Sequence, residues 1–222
     1  MTRITKSPNP AVPNTVLWQG HRPRMAEATL ALSQSVYAES TLSFREGEAA
    51  RYRLSLVNGC LLCQKFRVAE DLKSLMERIN SGAVPNTGSE RGEAPDEAFY
   101  DAIEDWRDSD IFSERERLAI EYAERISFDP ADLPVDDEFW QRLHAHYDEG
   151  EIVDLTYSIT TWIATGRFVH VLGLDGVCEL HETAHQVAAE SWRLQPSISM
   201  RQGSGPPATA TRSCRMSLRV SF

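Results

Sequence analysis

Apolar residues recur along most of the chain at intervals of three and four, the repeat of an amphipathic helix. Ser43-x-x-Glu46 is a capping-box pattern, in which each of two side chains accepts the other residue's backbone N–H. It opens a segment carrying Ala50, Leu54 and Val57 in helical register. Asn58-Gly59 stops that helix, because both residues tolerate a positive φ. A second helix is expected to start at Cys60 and to carry Leu61, Val68, Leu72, Leu75 and Ile79 on one stripe. Ser113-x-x-Glu116 opens another, with Leu118, Ala119, Tyr122 and Ile126 in register. A helix around Phe139, Leu143 and Tyr147 follows Pro134 and Asp136. Ile152, Leu155, Ile159, Trp162 and Ile163 mark a long apolar helix, expected to be the most buried, and Cys178–Leu194 reads as the last. Strand-like alternation is scarce, and Asn58-Gly59 has helix-period neighbours rather than a hairpin's. The pattern predicts an all-α protein.

Punctuation sets the boundaries. Residues 1–20 are expected to form a flexible N-terminal segment, and 80–95 (NSGAVPNTGSERGEAP) a loop between helices. Residues 21–195 form the helical domain. From Pro196 the chain reads PSISMRQGSGPPATATRSCRMSLRVSF, with four arginines and no acid, so residues 196–222 read as a disordered basic tail.

The 222 residues are 41% hydrophobic, enough for an ordinary core. With 23 basic and 33 acidic residues the net charge is −10, which argues against nucleic acid held by phosphate neutralisation. No run of about 18 apolar residues exists to span a membrane, and the N-terminal residues lack a signal peptide's apolar stretch. The expected address is the cytoplasm.

Candidate chemistry begins at Cys60-Leu61-Leu62-Cys63. Placed in a helix's first turn, the pair would meet unpaired N–H groups and the positive end of the helix dipole, which favour thiolate. A thiol of pKa about 8.5 is only roughly 3% thiolate at pH 7, so such tuning would decide its reactivity. At about 100° per residue, with Cys60 at the origin, Cys63 falls at about 300° and Arg67 at about 340°. The guanidinium and both sulfurs would then share a side. Two readings of Arg67 stand: thiolate stabilisation, or an ordinary surface pair with Asp71 one turn on. Glu46 reads as a capping carboxylate. Glu48 reads either as a solvated helix residue or as part of the site.

Glu48, followed twelve residues later by Cys60 and then Cys63 within EGEAARYRLSLVNGCLLCQKFR, resembles the signature of the carboxymuconolactone decarboxylase/AhpD-like (alkylhydroperoxidase) superfamily. The later run from FSERERLAIEYAERISFDP to LPVDDEFWQRLHAHYDEGEIVDLTYSITTWIATGRFVHVLG is similar to the second half of the same family. The resemblance covers roughly residues 20–175. It implies an all-helical bundle, a homo-oligomer, and a thiol site that reduces peroxides or exchanges disulfides without a cofactor. Carried over, Cys63 would be the thiolate that becomes sulfenic acid, Cys60 its resolving partner, and Glu48 a member of the proton relay. An external dithiol would reduce the resulting disulfide. Redox-active relatives often carry a histidine four residues after the second cysteine, and some carry one just before it. Here those positions are Arg67 and Leu62. Arginine can stabilise a thiolate by charge but cannot shuttle a proton. A non-enzymatic helical oligomer of the same fold, which uses the dithiol as a redox sensor or not at all, is the alternative from another class.

His181-Glu182-Thr183-Ala184-His185 also has the form HExxH, the pattern of a zinc hydrolase. Beyond His185 the only acid is Glu190 and no histidine follows, so the usual third ligand is missing and no metal is expected. Cys178 and Cys214 read as thiols without partners.

Overall fold

The computed structural model describes residues 2–5, 21–72 and 91–175. Every regular element among them is helical: α1 (Pro23–Glu39), α2 (Phe44–Val57), α3 (Leu61–Lys65), α4 (Glu97–Ala102), α5 (Glu114–Phe128), a 3-10 turn (Leu133–Val135), α6 (Asp137–His146) and α7 (Glu149–Val171). The all-α expectation holds. The HExxH residues, the helix expected at Cys178–Leu194, Cys214 and the basic tail lie outside the described residues, as do Leu75 and Ile79.

Caps place the helices where the sequence puts them. Ser43 accepts from the Glu46 N–H at 3.2 Å while the Glu46 carboxylate accepts from the Ser43 N–H at 3.0 Å. Ser113 and Glu116 repeat this at α5, and Asp148 and Glu151 at α7. Each such cap satisfies N–H groups that have no partner inside the helix.

The most buried helix is α2, not the apolar α7. Nine of its 14 residues are buried, against six of 23 in α7. The physical reason is position: α2 runs between two apolar clusters. Ala50 and Leu54 pack with Leu118, Tyr122, Phe139, Leu155 and Ile159, while Ala49 packs on the other side with Phe99, Tyr100, Ile103 and Ile120. The outer side of α7 leaves Val153, Tyr157 and Val171 exposed. Ion pairs edge the α2–α5 contact: Arg45 with Glu116 at 2.5 Å, Arg53 with Glu124 at 2.6 Å, and Arg115 with the capping Glu46.

One further expectation changes. The helix that was to run on from Cys60 breaks after Lys65, with Phe66 extended, and a helical stretch resumes at 68–72. Within the expected loop, Arg91 is buried at 5% exposure, donates to the Leu42 carbonyl at 2.8 Å and stacks over Phe44. The periodicity does not predict α1 and α4.

Candidate active site

Cys60 and Cys63 sit where α2 turns into α3. Gly59 has φ +66°, a conformation L side chains avoid, and Asn58 caps α2. The Cys60 N–H bonds the Ser55 carbonyl at 3.1 Å. Cys60 is itself the N-cap of α3, its sulfur accepting from the Cys63 N–H at 3.2 Å. The two cysteines are joined by a disulfide, with Cα atoms 5.3 Å apart. They differ in exposure: Cys60 is wholly buried and Cys63 only partly. With only five residues, α3 is too short for the dipole argument drawn from a long helix.

Glu48 is not solvated. It is 1% exposed and forms a two-pronged pair with Arg51, at 2.5 Å to Oε1 and 2.9 Å to Oε2. The Tyr100 hydroxyl donates to Oε2 at 2.6 Å. Burial, then the charge and hydrogen bond of Glu48, push the Tyr100 hydroxyl well above its usual range, so it stays a proton donor. Burial disfavours the Arg51 charge, but Glu48 outweighs it and raises the guanidinium still higher. The rest of Arg51 reaches the dithiol segment: it donates to the Cys63 carbonyl and to the Phe66 carbonyl, each at 2.7 Å. Glu48 thus anchors Arg51, and Arg51 clamps both ends of the stretch from Cys63 to Phe66.

Arg67 lies beyond the break, so the shared helical face with the cysteines does not form. Its guanidinium pairs with Glu97 at 2.9 and 3.0 Å, donates to the Gln64 carbonyl at 2.7 Å, and stacks 3.8 Å from the Tyr100 ring centroid. Asp71 accepts from the Arg67 backbone N–H at 2.7 Å, so the side-chain pair expected between those two is replaced by a pair with Glu97.

The opposite side of the turn is closed by α7. Asn58 donates to the Trp162 carbonyl at 3.2 Å and accepts from Arg167 at 3.0 Å. Gly166 makes this seat possible, since a Cβ there would lie 2.6 Å from Asn58 Nδ2. His170 lies against Gly59, and its Nδ1 is 3.0 Å from Asp175 Oδ2. The same carboxylate oxygen accepts from the Leu61 N–H at 3.3 Å. Sequence reading missed Arg51, Tyr100, His170 and Asp175. Of these only Arg51 had a local signal, its i,i+3 spacing from Glu48 on one helix.

No family model matches the chain. The uncharacterized protein YnjA of Escherichia coli K12 is 40% identical over 83 residues, 36% of this chain and 44% of YnjA. YdfG of Bacillus subtilis 168, also uncharacterized, is 26% identical over 135 residues, 61% of this chain and 78% of YdfG. The chain therefore spans less than half of the first of these relatives. A solved structure from Agrobacterium tumefaciens, a protein of unknown function described as a candidate antioxidant-defence protein AhpD, superposes with a TM-score of 0.53 at 22% identity. That superposition covers 78% of this chain and 95% of the other. The fold is AhpD-like. In this AhpD-like arrangement the dithiol turn lies between the buried Glu48–Arg51 pair and the end of α7. No helix among the described residues is long and apolar enough to cross a membrane.

Proposed function

We propose that the chain is a thiol peroxidase or disulfide oxidoreductase that works through Cys60 and Cys63. One observation carries the reading: two cysteines three residues apart, bonded to each other, with one residue partly exposed and the other buried. A pair used in turn needs this asymmetry, because the accessible sulfur meets the substrate and the sheltered one resolves it. In the reduced protein the Cys63 thiolate attacks the distal oxygen of a small peroxide. The S–O bond forms as the O–O bond breaks, and the leaving alkoxide takes a proton to become alcohol or water. Cys60, deprotonated, then attacks the sulfenic sulfur; the disulfide forms and hydroxide leaves as water with the released proton. An external dithiol restores both thiols and is itself oxidised to a disulfide. The Cys63 carbonyl held by Arg51 and the turn held by Gly59 keep the sulfurs in reach through this cycle.

Stopped-flow mixing of the fully reduced chain with hydrogen peroxide or an organic hydroperoxide, followed by mass analysis, tests the reading. Rapid appearance of the Cys60–Cys63 disulfide with one peroxide consumed per chain is expected. Oxidation no faster than that of free cysteine would overturn it.

A further inference from the structure

Cys60 has no direct route to solvent, being fully buried, yet the reaction proposed above requires its thiol to lose a proton each time the disulfide closes. The residues on either side of it show where that proton can go. On the side of Gly59, the imidazole of His170 sits 3.2 to 3.6 Å from where a side chain would begin. On the side of Leu61, the backbone N–H bonds Asp175, and the same Asp175 oxygen holds His170 Nδ1. His170 and Asp175 thus bracket Cys60 from before and behind. The His170 side chain is 48% exposed, so the ring bridges the buried turn and bulk water.

We infer that His170, oriented by Asp175, is the residue that accepts the Cys60 proton as the disulfide closes and releases it through the solvent to the leaving hydroxide or thiolate. Asp175 binds Nδ1, which leaves Nε2 as the ring's free proton-carrying position, as in other histidines oriented by a carboxylate. Asp175 suits that task. Burial tends to raise its pKa, but the hydrogen bonds from His170 and the Leu61 N–H outweigh this, and the carboxyl stays ionised below its usual range. Among the described residues, Arg167 at this end of α7 is engaged on Asn58, and Arg3 donates its backbone N–H to the Leu172 carbonyl. The role follows from packing across 110 residues of sequence and from no motif around the cysteines.

The inference rests on the dithiol reading but is tested separately from it. Reduced full-length protein is mixed with oxidised glutathione between pH 5.5 and 9, and the reaction is quenched and weighed by mass spectrometry. Cys63 forms a mixed disulfide with glutathione, releasing one glutathione thiolate; Cys60 then displaces the second glutathione thiolate and gives its proton to His170. The rate of this second step is expected to show an inflection with pH, as the loss of a general base by protonation requires. His170→Gln can still hydrogen-bond Asp175, and should remove the inflection and slow closure near neutral pH by about tenfold or more, as general-base losses do. Mixed-disulfide formation, which precedes the proton transfer, should change far less. A His170→Gln profile with the same inflection and rate would overturn the inference, as would an equal slowing at every pH, the mark of a purely structural role. Failure of wild-type protein to react with peroxide while this glutathione profile holds would overturn the peroxidase activity and leave the role of His170 standing.

Discussion

Glu48 and Arg51, one helical turn apart on α2, meet through two hydrogen bonds with both side chains 4% exposed or less. A buried pair of this kind adds little over an apolar pair but costs about 3–5 kcal/mol to break from one side, because one charge is left stranded. Arg51→Met and Glu48→Gln are each expected to lower unfolding stability in urea by that order. Arg51→Met should also slow iodoacetamide alkylation of the reduced dithiol near neutral pH, since it removes the cation bonded to the Cys63 carbonyl. Joint replacement of both residues by apolar ones should restore much of the stability and none of the alkylation rate.

Arg67 supplies the contrast. Its charge is taken up by Glu97 and the Tyr100 ring. Arg67→Met is therefore expected to shift the pH dependence of alkylation less than Arg51→Met does. An equal or larger shift would return Arg67 to the thiolate.

The order of the two sulfurs can be read directly. With Cys63 partly exposed and Cys60 buried, Cys60→Ser should accumulate a sulfenic acid on Cys63 that dimedone traps after peroxide treatment. Cys63→Ser should trap little. The reverse pattern would exchange the roles.

Two glycines seat the turn on α7, and their alanine variants should fail for different reasons. Gly59→Ala forces a side chain into the left-handed region, a cost of roughly 1–2 kcal/mol, and pushes on His170. Gly166→Ala gains about 1 kcal/mol of helix propensity but places a Cβ 2.6 Å from an Asn58 amide bonded at both ends. The net expectation is lower thermal stability in both variants, with Gly166→Ala also losing the Asn58–Arg167 contact.

Acid should loosen the α2–α5 contact. Burial tends to raise the pKa of Glu124, but hydrogen bonds from Arg107 and Trp106 and the charge of Arg53 outweigh it, and the folded pKa is lowered. A lowered folded pKa contributes stability above the unfolded value, about 4.3, that is lost as pH falls through the folded one. Glu124→Gln should therefore be less stable than wild type at pH 7, and the gap should narrow below about pH 4 in urea titrations.

What the sequence made legible was local. Ser43 with Glu46, and Ser113 with Glu116, bond within four residues, and Gly59 needs only its own backbone to end α2. The break after Lys65 was hidden because its support is tertiary: Arg51 reaches in from α2 to the Phe66 carbonyl. Glu48 was singled out by resemblance, but its burial depends on Tyr100, 52 residues away. His170 and Asp175 could not be associated with the cysteines from spacing, since the packing of Asn58 against Gly166 brings them together.

The Arg51 clamp grips carbonyl oxygens, not side chains. Any residue can present a carbonyl, so the frame around the dithiol is indifferent to which side chains fill the short stretch between its two grips. The exposed Lys65, near the partly open Cys63, can therefore vary without unseating the sulfurs. Such a design separates the durability of the chemistry from the choice of what docks against it. Relatives could exchange one molecular clientele for another by changing a few surface positions, leaving the buried apparatus as it was.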